Sequence, residues 1–190
     1  MIDPVTLDRV CSKARALIRA SGTPVTDEEL QQLTVIDFGL GNVEREGVQT
    51  IDLLSTDRLR IKLLVLLPDQ TLPQHLHPPY PGDAGKQETV RLVFGRMRVY
   101  LPGKDTMKEG FIVTGKEAFY TLRHEVVLTP VKQLTLKPGV EHWFQAGPEG
   151  AVTYSFYTQA DEGFNRFADP EVTGVVGTPA GSSSRPVTRQ

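Results

Sequence analysis

One cysteine, Cys11, is all that the 190 residues contain. A lone thiol excludes an intrachain disulfide and fits a reducing compartment. Long apolar runs are missing as well. The longest, Leu63 to Leu67, is far short of the roughly 20 residues that a membrane-spanning helix needs. The opening MIDPVTLDRV has no basic segment ahead of an apolar one, so no secretory signal is read there, and a cytoplasmic location without a membrane partner is expected. Charge of neither sign dominates: 21 Lys and Arg face 23 Asp and Glu, for a net charge of −2. The basic residues are scattered and no aromatic-plus-arginine stripe offers a base-stacking surface, so a nucleic-acid partner is not expected. What remains, 39% apolar and 23% charged residues, is the composition of an ordinary globular chain with one packed domain.

Two helices are expected first. Asp3-Pro4 reads as an N-cap with a first-turn proline, and Leu7, Val10, Cys11, Ala14, Leu17 and Ile18 recur at three- and four-residue spacing up to a stop near Gly22. Cys11 on that apolar face is a packing residue. Thr26 and Glu29 form a capping box ahead of Leu30 and Leu33. From about residue 48 the period changes to two. Leu59, Ile61, Leu63, Val65 and Leu67 share one face of a strand and Arg58, Arg60 and Lys62 the other, while Val90, Leu92 and Phe94 alternate similarly. Further strands are expected around 96–101, 119–128, 132–137 and 151–158, divided by turns such as Leu101-Pro102-Gly103 and Lys137-Pro138-Gly139. Short strands without intervening helices imply an all-β antiparallel sandwich or barrel. The organisation read from this is a helical layer over 1–34, a barrel over 35–170 and a flexible tail over 171–190, whose Gly, Ser, Thr and Pro bury too little apolar surface for order.

The stretch QHLHPPYPGDAGKQETVRLVFG, residues 74–95, carries the chemistry. His75 and His77 sit at i and i+2 and so present two imidazoles on one face of a strand. Glu88 shares the face of Val90, Leu92 and Phe94, the core side, where a carboxylate is costly unless something compensates it. A metal ion compensates it. His142, in LKPGVEHWFQAG, follows a Pro-Gly turn into a short strand and supplies the third imidazole. His124, the fourth histidine, has no such partner and reads as structural.

Together HxH, a glutamate followed by six residues and then Gly95, and Pro138-Gly139-Val140-Glu141-His142 resemble the two metal-binding motifs of cupins, with a longer interval, PPYPGDAGKQ, before the glutamate. DFGLG at 37–41, TDR at 56–58, HxHPP, GKQET, HEVVL and EHWFQAG resemble D-lyxose isomerases, the cupin-type aldose-ketose isomerases that accept D-lyxose and often D-mannose. The resemblance runs from about residue 35 to 170, and GKQET and HWFQAG are its most specific parts.

That resemblance implies a cupin jelly-roll barrel, a homodimer, a sugar substrate, and a divalent ion, usually manganese, on His75, His77, Glu88 and His142. Mixed imidazole and carboxylate donors also suit Fe, Co, Ni or Zn. Lys86, two residues before Glu88, matches a lysine of the family motif and is a candidate for catalysis and for donating to a substrate oxygen. Arg166 resembles a basic residue near the family's substrate pocket, with a pairing to Asp169 as the alternative, and Tyr80 and Phe164 are apolar pocket candidates. The family pattern places an acid where this sequence reads TYSFYT, so Ser155 stands in its position. Glu141, Glu162, Asp161 and Glu125 are the acids that could move the proton instead. Two other readings compete: a dioxygenase using Fe(II), and a non-catalytic cupin that binds sugar through its metal.

Overall fold

The side chain of Asp3 accepts from the amides of Val5 and Thr6 at 3.1 and 3.0 Å, satisfying two donors that a helix start leaves orphaned, and Pro4 opens the helix behind it. This first helix, α1, spans Pro4–Ala20. The second, α2 (Asp27–Gln31), begins with the expected reciprocal box: Thr26 N donates to the Glu29 carboxylate at 2.8 Å and Glu29 N to Thr26 Oγ1 at 3.1 Å. In the computed structural model, residues 2–158, 162–175 and 177–181 are described.

Among the described residues ten strands follow: β1 (Thr34–Ile36), β2 (Val48–Ser55), β3 (Leu59–Leu66), β4 (Thr71–Leu76), β5 (Glu88–Leu101), β6 (His124–Leu128), β7 (Gln133–Leu136), β8 (His142–Thr158), β9 (Arg166–Phe167) and β10 (Thr178–Pro179). Every pairing among them is antiparallel. The strands expected at 142 and at 151–158 are one long strand. It serves two layers: its first part pairs with β4 and its later part with β3, while β5 runs beside it throughout. The handover lies between Ala146, opposite Met97, and Ala151, opposite Gly95. Gly95 turns there with φ of 77°, and a side chain on it would collide with the Gly150 carbonyl oxygen. Only glycine accepts both conditions. The two layers close into an antiparallel β-barrel carrying the N-terminal helices, as the alternation and the resemblance predict.

The core is double. Leu66, Leu92, Met97, Val99 and Phe144 fill the space inside the barrel. Leu7, Val10, Cys11, Ala14 and Ile18 of α1 cover Leu63 and Val65 on the outside of β3. The second face of β3, read from Arg58, Arg60 and Lys62 as merely opposite the apolar one, is therefore the barrel interior, with Leu64 and Leu66 buried on it beside Lys62. Period two fails to reveal this because a strand covered on both faces becomes a continuous apolar run.

The segment after Pro170 also differs from expectation. Thr178–Pro179 runs along β1, with Thr34 opposite Pro179 and Val35 opposite Thr178. Thr173 N donates to the Phe38 carbonyl at 3.0 Å and Ala180 N to that of Leu33 at 2.8 Å. This part of the expected tail belongs to the sheet. Main-chain pairing with an open strand edge holds it, which side-chain composition does not report. Residues 182–190 lie outside the described ones.

Candidate metal centre

Strand pairing explains why distant residues meet. His75 near the end of β4 lies directly opposite His142, the first residue of β8, and His77 follows two positions on. The ring centroids are 4.3 Å apart for His75 and His142, 4.8 Å for His75 and His77, and 5.3 Å for His77 and His142. One nitrogen from each lies within 4.8 Å of the others, close enough for the three to hold a metal ion. All three are buried. Glu88, the first residue of β5, brings Oε2 to 3.4 Å from His77 Nε2.

The second nitrogen of each ring decides what the first can do. His75 Nδ1 lies 2.8 Å from the Pro73 carbonyl and His142 Nδ1 2.9 Å from that of Val140. Carbonyls only accept, so both Nδ1 atoms carry the proton and each Nε2 keeps its lone pair. His77 Nδ1 donates to Asn165 Oδ1 at 2.7 Å. The Nε2 atoms of His77 and His142 are buried without a hydrogen bond among the described residues. Such orphaned lone pairs are the donor set that a divalent ion satisfies. Burial, reinforced by the neighbouring imidazoles, lowers the His75 pKa well below its ordinary value and holds His142 at about 4, so both are neutral near pH 7. Burial pushes Glu88 upward, but the Lys86 ammonium outweighs it and holds the carboxyl well below the usual range.

Lys86 is brought in by the long loop. Tyr80 and Asp83 exchange main-chain bonds of 3.2 and 2.9 Å, and Asp83 Oδ1 accepts from Gly85 N at 2.7 Å. The turn returns Lys86 to the site, where Nζ lies 3.0 Å from Glu88 Oε2 and 4.2 Å from the centre of the Tyr157 ring. Ser155 Oγ donates to the other Glu88 oxygen at 2.5 Å. A cavity opens over these groups, with His75, His77, Lys86, Glu88, Ser155 and Tyr157 in its lining.

The other sequence candidates lie elsewhere. Glu141 accepts from Gln74 Nε2 at 2.9 Å and does not line the cavity: next to His142, it faces the other way. Arg166 is exposed on β9 while its neighbour Phe167 lines the cavity, the alternation of a strand again. Asp169, its alternative partner, instead takes Lys116 at 2.6 Å. Tyr80 stacks on Phe164 at 4.4 Å, away from the lining. Glu125 accepts from the Tyr100 hydroxyl at 2.8 Å, and His124 packs against Gly103. Glu162 begins a short 3-10 turn, Glu162–Phe164, but its side chain, like the whole of Asp161, lies outside the described residues. Sequence reasoning missed Thr50, Lys62, Tyr157, Asn165 and Phe167, all of which line the cavity. Alternation flags Lys62 once the inner face of β3 is known. Asn165 carries no signal.

No protein-family model matches the chain. Among curated proteins it is 44% identical to the D-lyxose ketol-isomerase of Cohnella laeviribosi over 157 residues, 82% of this chain and 86% of that one. It is 38% identical to the D-lyxose/D-mannose isomerase of Thermosediminibacter oceani over 173 residues, 90% of this chain and 96% of that one. Among solved structures, the L-ribose isomerase of Acinetobacter sp. DL28 in complex with L-ribose superposes with a TM-score of 0.70 at 17% identity, covering 90% of this chain and 94% of the other. That of Cellulomonas parahominis gives 0.69 at 18% identity, over 94% and 98%. At such identity these two speak for the fold, a cupin-type barrel.

Proposed function

This chain belongs to the D-lyxose ketol-isomerase family, and from that premise we propose that it interconverts D-lyxose and D-xylulose, and D-mannose and D-fructose. The observation that carries the reading is the pair of buried Nε2 lone pairs, on His77 and His142, beside an ionised Glu88. His75, His77, His142 and Glu88 would hold a divalent ion, which we take to be Mn(II) on the family resemblance; Fe, Co, Ni and Zn suit the same donors. When bound, such an ion supplies Lewis acidity to the substrate's carbonyl and hydroxyl oxygens.

The chain's own groups do the rest. Isomerisation moves a proton from C2 to C1 while the C1 carbonyl becomes a hydroxyl and the C2 hydroxyl a carbonyl. Charge develops on the two oxygens of the enediolate. Lys86 Nζ, held between Glu88 and the Tyr157 ring, is placed to stabilise one of these oxygens by a hydrogen bond from its ammonium, with no net loss of its own proton. Ser155 and Lys86 fix both oxygens of Glu88. Lys86, Glu88 and Ser155 are all buried, which strengthens each of these interactions. The dioxygenase and sugar-binding readings give way to the isomerase because the curated relatives are isomerases. The unpaired, buried Cys11 and the family resemblance support a cytoplasmic homodimer.

The test is conversion of D-lyxose to D-xylulose by Mn-loaded protein beside a chelated control. Conversion that vanishes on chelation and returns with Mn(II) is expected. Conversion that persists through exhaustive chelation would overturn the metal-dependent reading.

A further inference from the structure

We propose that the cavity is built for an aldose whose far end is a methyl group, so that 6-deoxy-D-mannose is a better substrate than D-mannose. The inference rests on the isomerase reading above and adds a substrate class to it.

The cavity has two chemically different ends. Glu88, Lys86, Ser155 and Tyr157 gather beside the histidines, joined by the contacts of 2.5, 3.0 and 4.2 Å given above. In the other direction the wall turns apolar at once. The Phe167 ring stacks on His75 at 5.4 Å, and Phe38 packs on Phe167 at 5.5 Å. Beyond them Ile36 and Val48, opposite one another on β1 and β2, complete the wall with Val175. These five side chains offer a ligand no hydrogen-bond donor or acceptor. Apart from His75, which lies opposite Phe167, the polar groups that line the cavity from the neighbouring strands are Thr50 on β2 and Lys62 on β3.

An aldose reacts at C1 and C2, so those carbons belong at the polar end. C3 and C4 then pass Thr50 and Lys62, and a pentose stops short of the far wall. A hexose places C6 against Phe38, Val48 and Val175. There the hydroxyl of D-mannose gives up water without a partner, whereas the methyl of the 6-deoxy sugar fills the wall. Apolar pockets reject an added hydroxyl by about one to two orders of magnitude. The reaction balances as for D-mannose: the C2 proton returns at C1, aldehyde and alcohol exchange places, and 6-deoxy-D-fructose forms without an external oxidant or reductant.

The experiment compares kcat/KM for D-lyxose, D-mannose and 6-deoxy-D-mannose on Mn-loaded protein. Calorimetry alongside it measures binding of D-mannitol and 6-deoxy-D-mannitol, which cannot isomerise. We expect the deoxy sugar to exceed D-mannose at least tenfold in kcat/KM and the deoxy polyol to bind correspondingly tighter. Val48→Thr, which sets a hydroxyl in the apolar wall, should narrow both ratios about threefold or more. Turnover of D-lyxose with ratios near one in the wild type, or ratios unmoved in a folded Val48→Thr, overturns the inference and leaves the isomerase standing. No turnover of any of the three sugars overturns the isomerase reading, and the proposed activity with it.

Discussion

Ser155 donates its hydroxyl proton to Glu88 Oε1 at 2.5 Å, in the position where the family resemblance places an acid. Two carboxylates at that separation could not both ionise, and one would keep a proton at neutral pH. A hydroxyl leaves Glu88 fully charged. Ser155→Ala should therefore retain isomerisation while weakening metal binding by roughly tenfold, the scale of losing a partner behind a ligand. Ser155→Glu should weaken metal binding as well, because one of the two carboxyls then holds a proton that the ion must displace. A titration with Mn(II) checks both, and undiminished affinity in Ser155→Glu would contradict the assignment.

His75→Ala removes one of three converging imidazoles without touching the strand pairing around it. Bound metal should fall below a tenth of an equivalent and activity with it, while the far-ultraviolet circular dichroism stays that of a β-barrel. Metal content measured after dialysis decides the matter. A variant that keeps a full equivalent is not missing a ligand.

Asn165 holds His77 through Nδ1 at 2.7 Å, the one ring of the three held by a side chain rather than a carbonyl of the main chain. Replacing it with Ala frees the imidazole to rotate or change tautomer, and metal affinity should drop 10–100-fold, as about expected for an outer partner. Asn165→Asp restores an acceptor and should recover most of that loss. Equal affinities in wild type and Asn165→Ala would show that His77 needs no orienting partner.

Stability of the metal-free protein should depend on acidity in a defined window. His142 is lowered from an ordinary 6.5 to about 4, and His75 is lowered too, both by burial first. The unfolded chain binds protons below pH 6.5 that the folded chain refuses, so stability rises with pH between about 4 and 6.5 and is flat above it as far as these groups go. His142 alone should cost roughly 2 kcal/mol between pH 7.5 and 5. Urea midpoints in the presence of chelator measure this. Equal midpoints at the two pH values would mean that the imidazoles are not buried neutral.

Much of this was legible in the sequence because the signals were local. Asp3, Thr26 and Glu29 announce helix starts by their own hydrogen bonds. His75 and His77 announce a shared face by strand alternation, and Glu88 announces itself as a charge on an apolar face. What stayed hidden depends on pairing between distant segments. Lys62 reads as a surface lysine until β3 is known to be covered by α1 on its other side. Asn165 acquires its role only when the chain after β8 returns beside His77, 88 residues away in sequence. Glu141, a candidate for adjoining His142, and Arg166, a candidate from the family resemblance, are both turned out by alternation. Thr178 and Pro179 join β1 through main-chain bonds, to which a Gly- and Pro-rich composition is blind.

The most direct test of the account follows the proton itself. D-Lyxose is incubated with Mn-loaded protein in heavy water, with Lys86→Met in parallel, and C1 and C2 are observed by proton NMR. The account predicts D-xylulose carrying solvent deuterium at C1, and a loss of about 100-fold or more in kcat for Lys86→Met with Mn(II) still bound. Lys86→Met turning over at the wild-type rate, or no D-xylulose from fully loaded wild type, would contradict it.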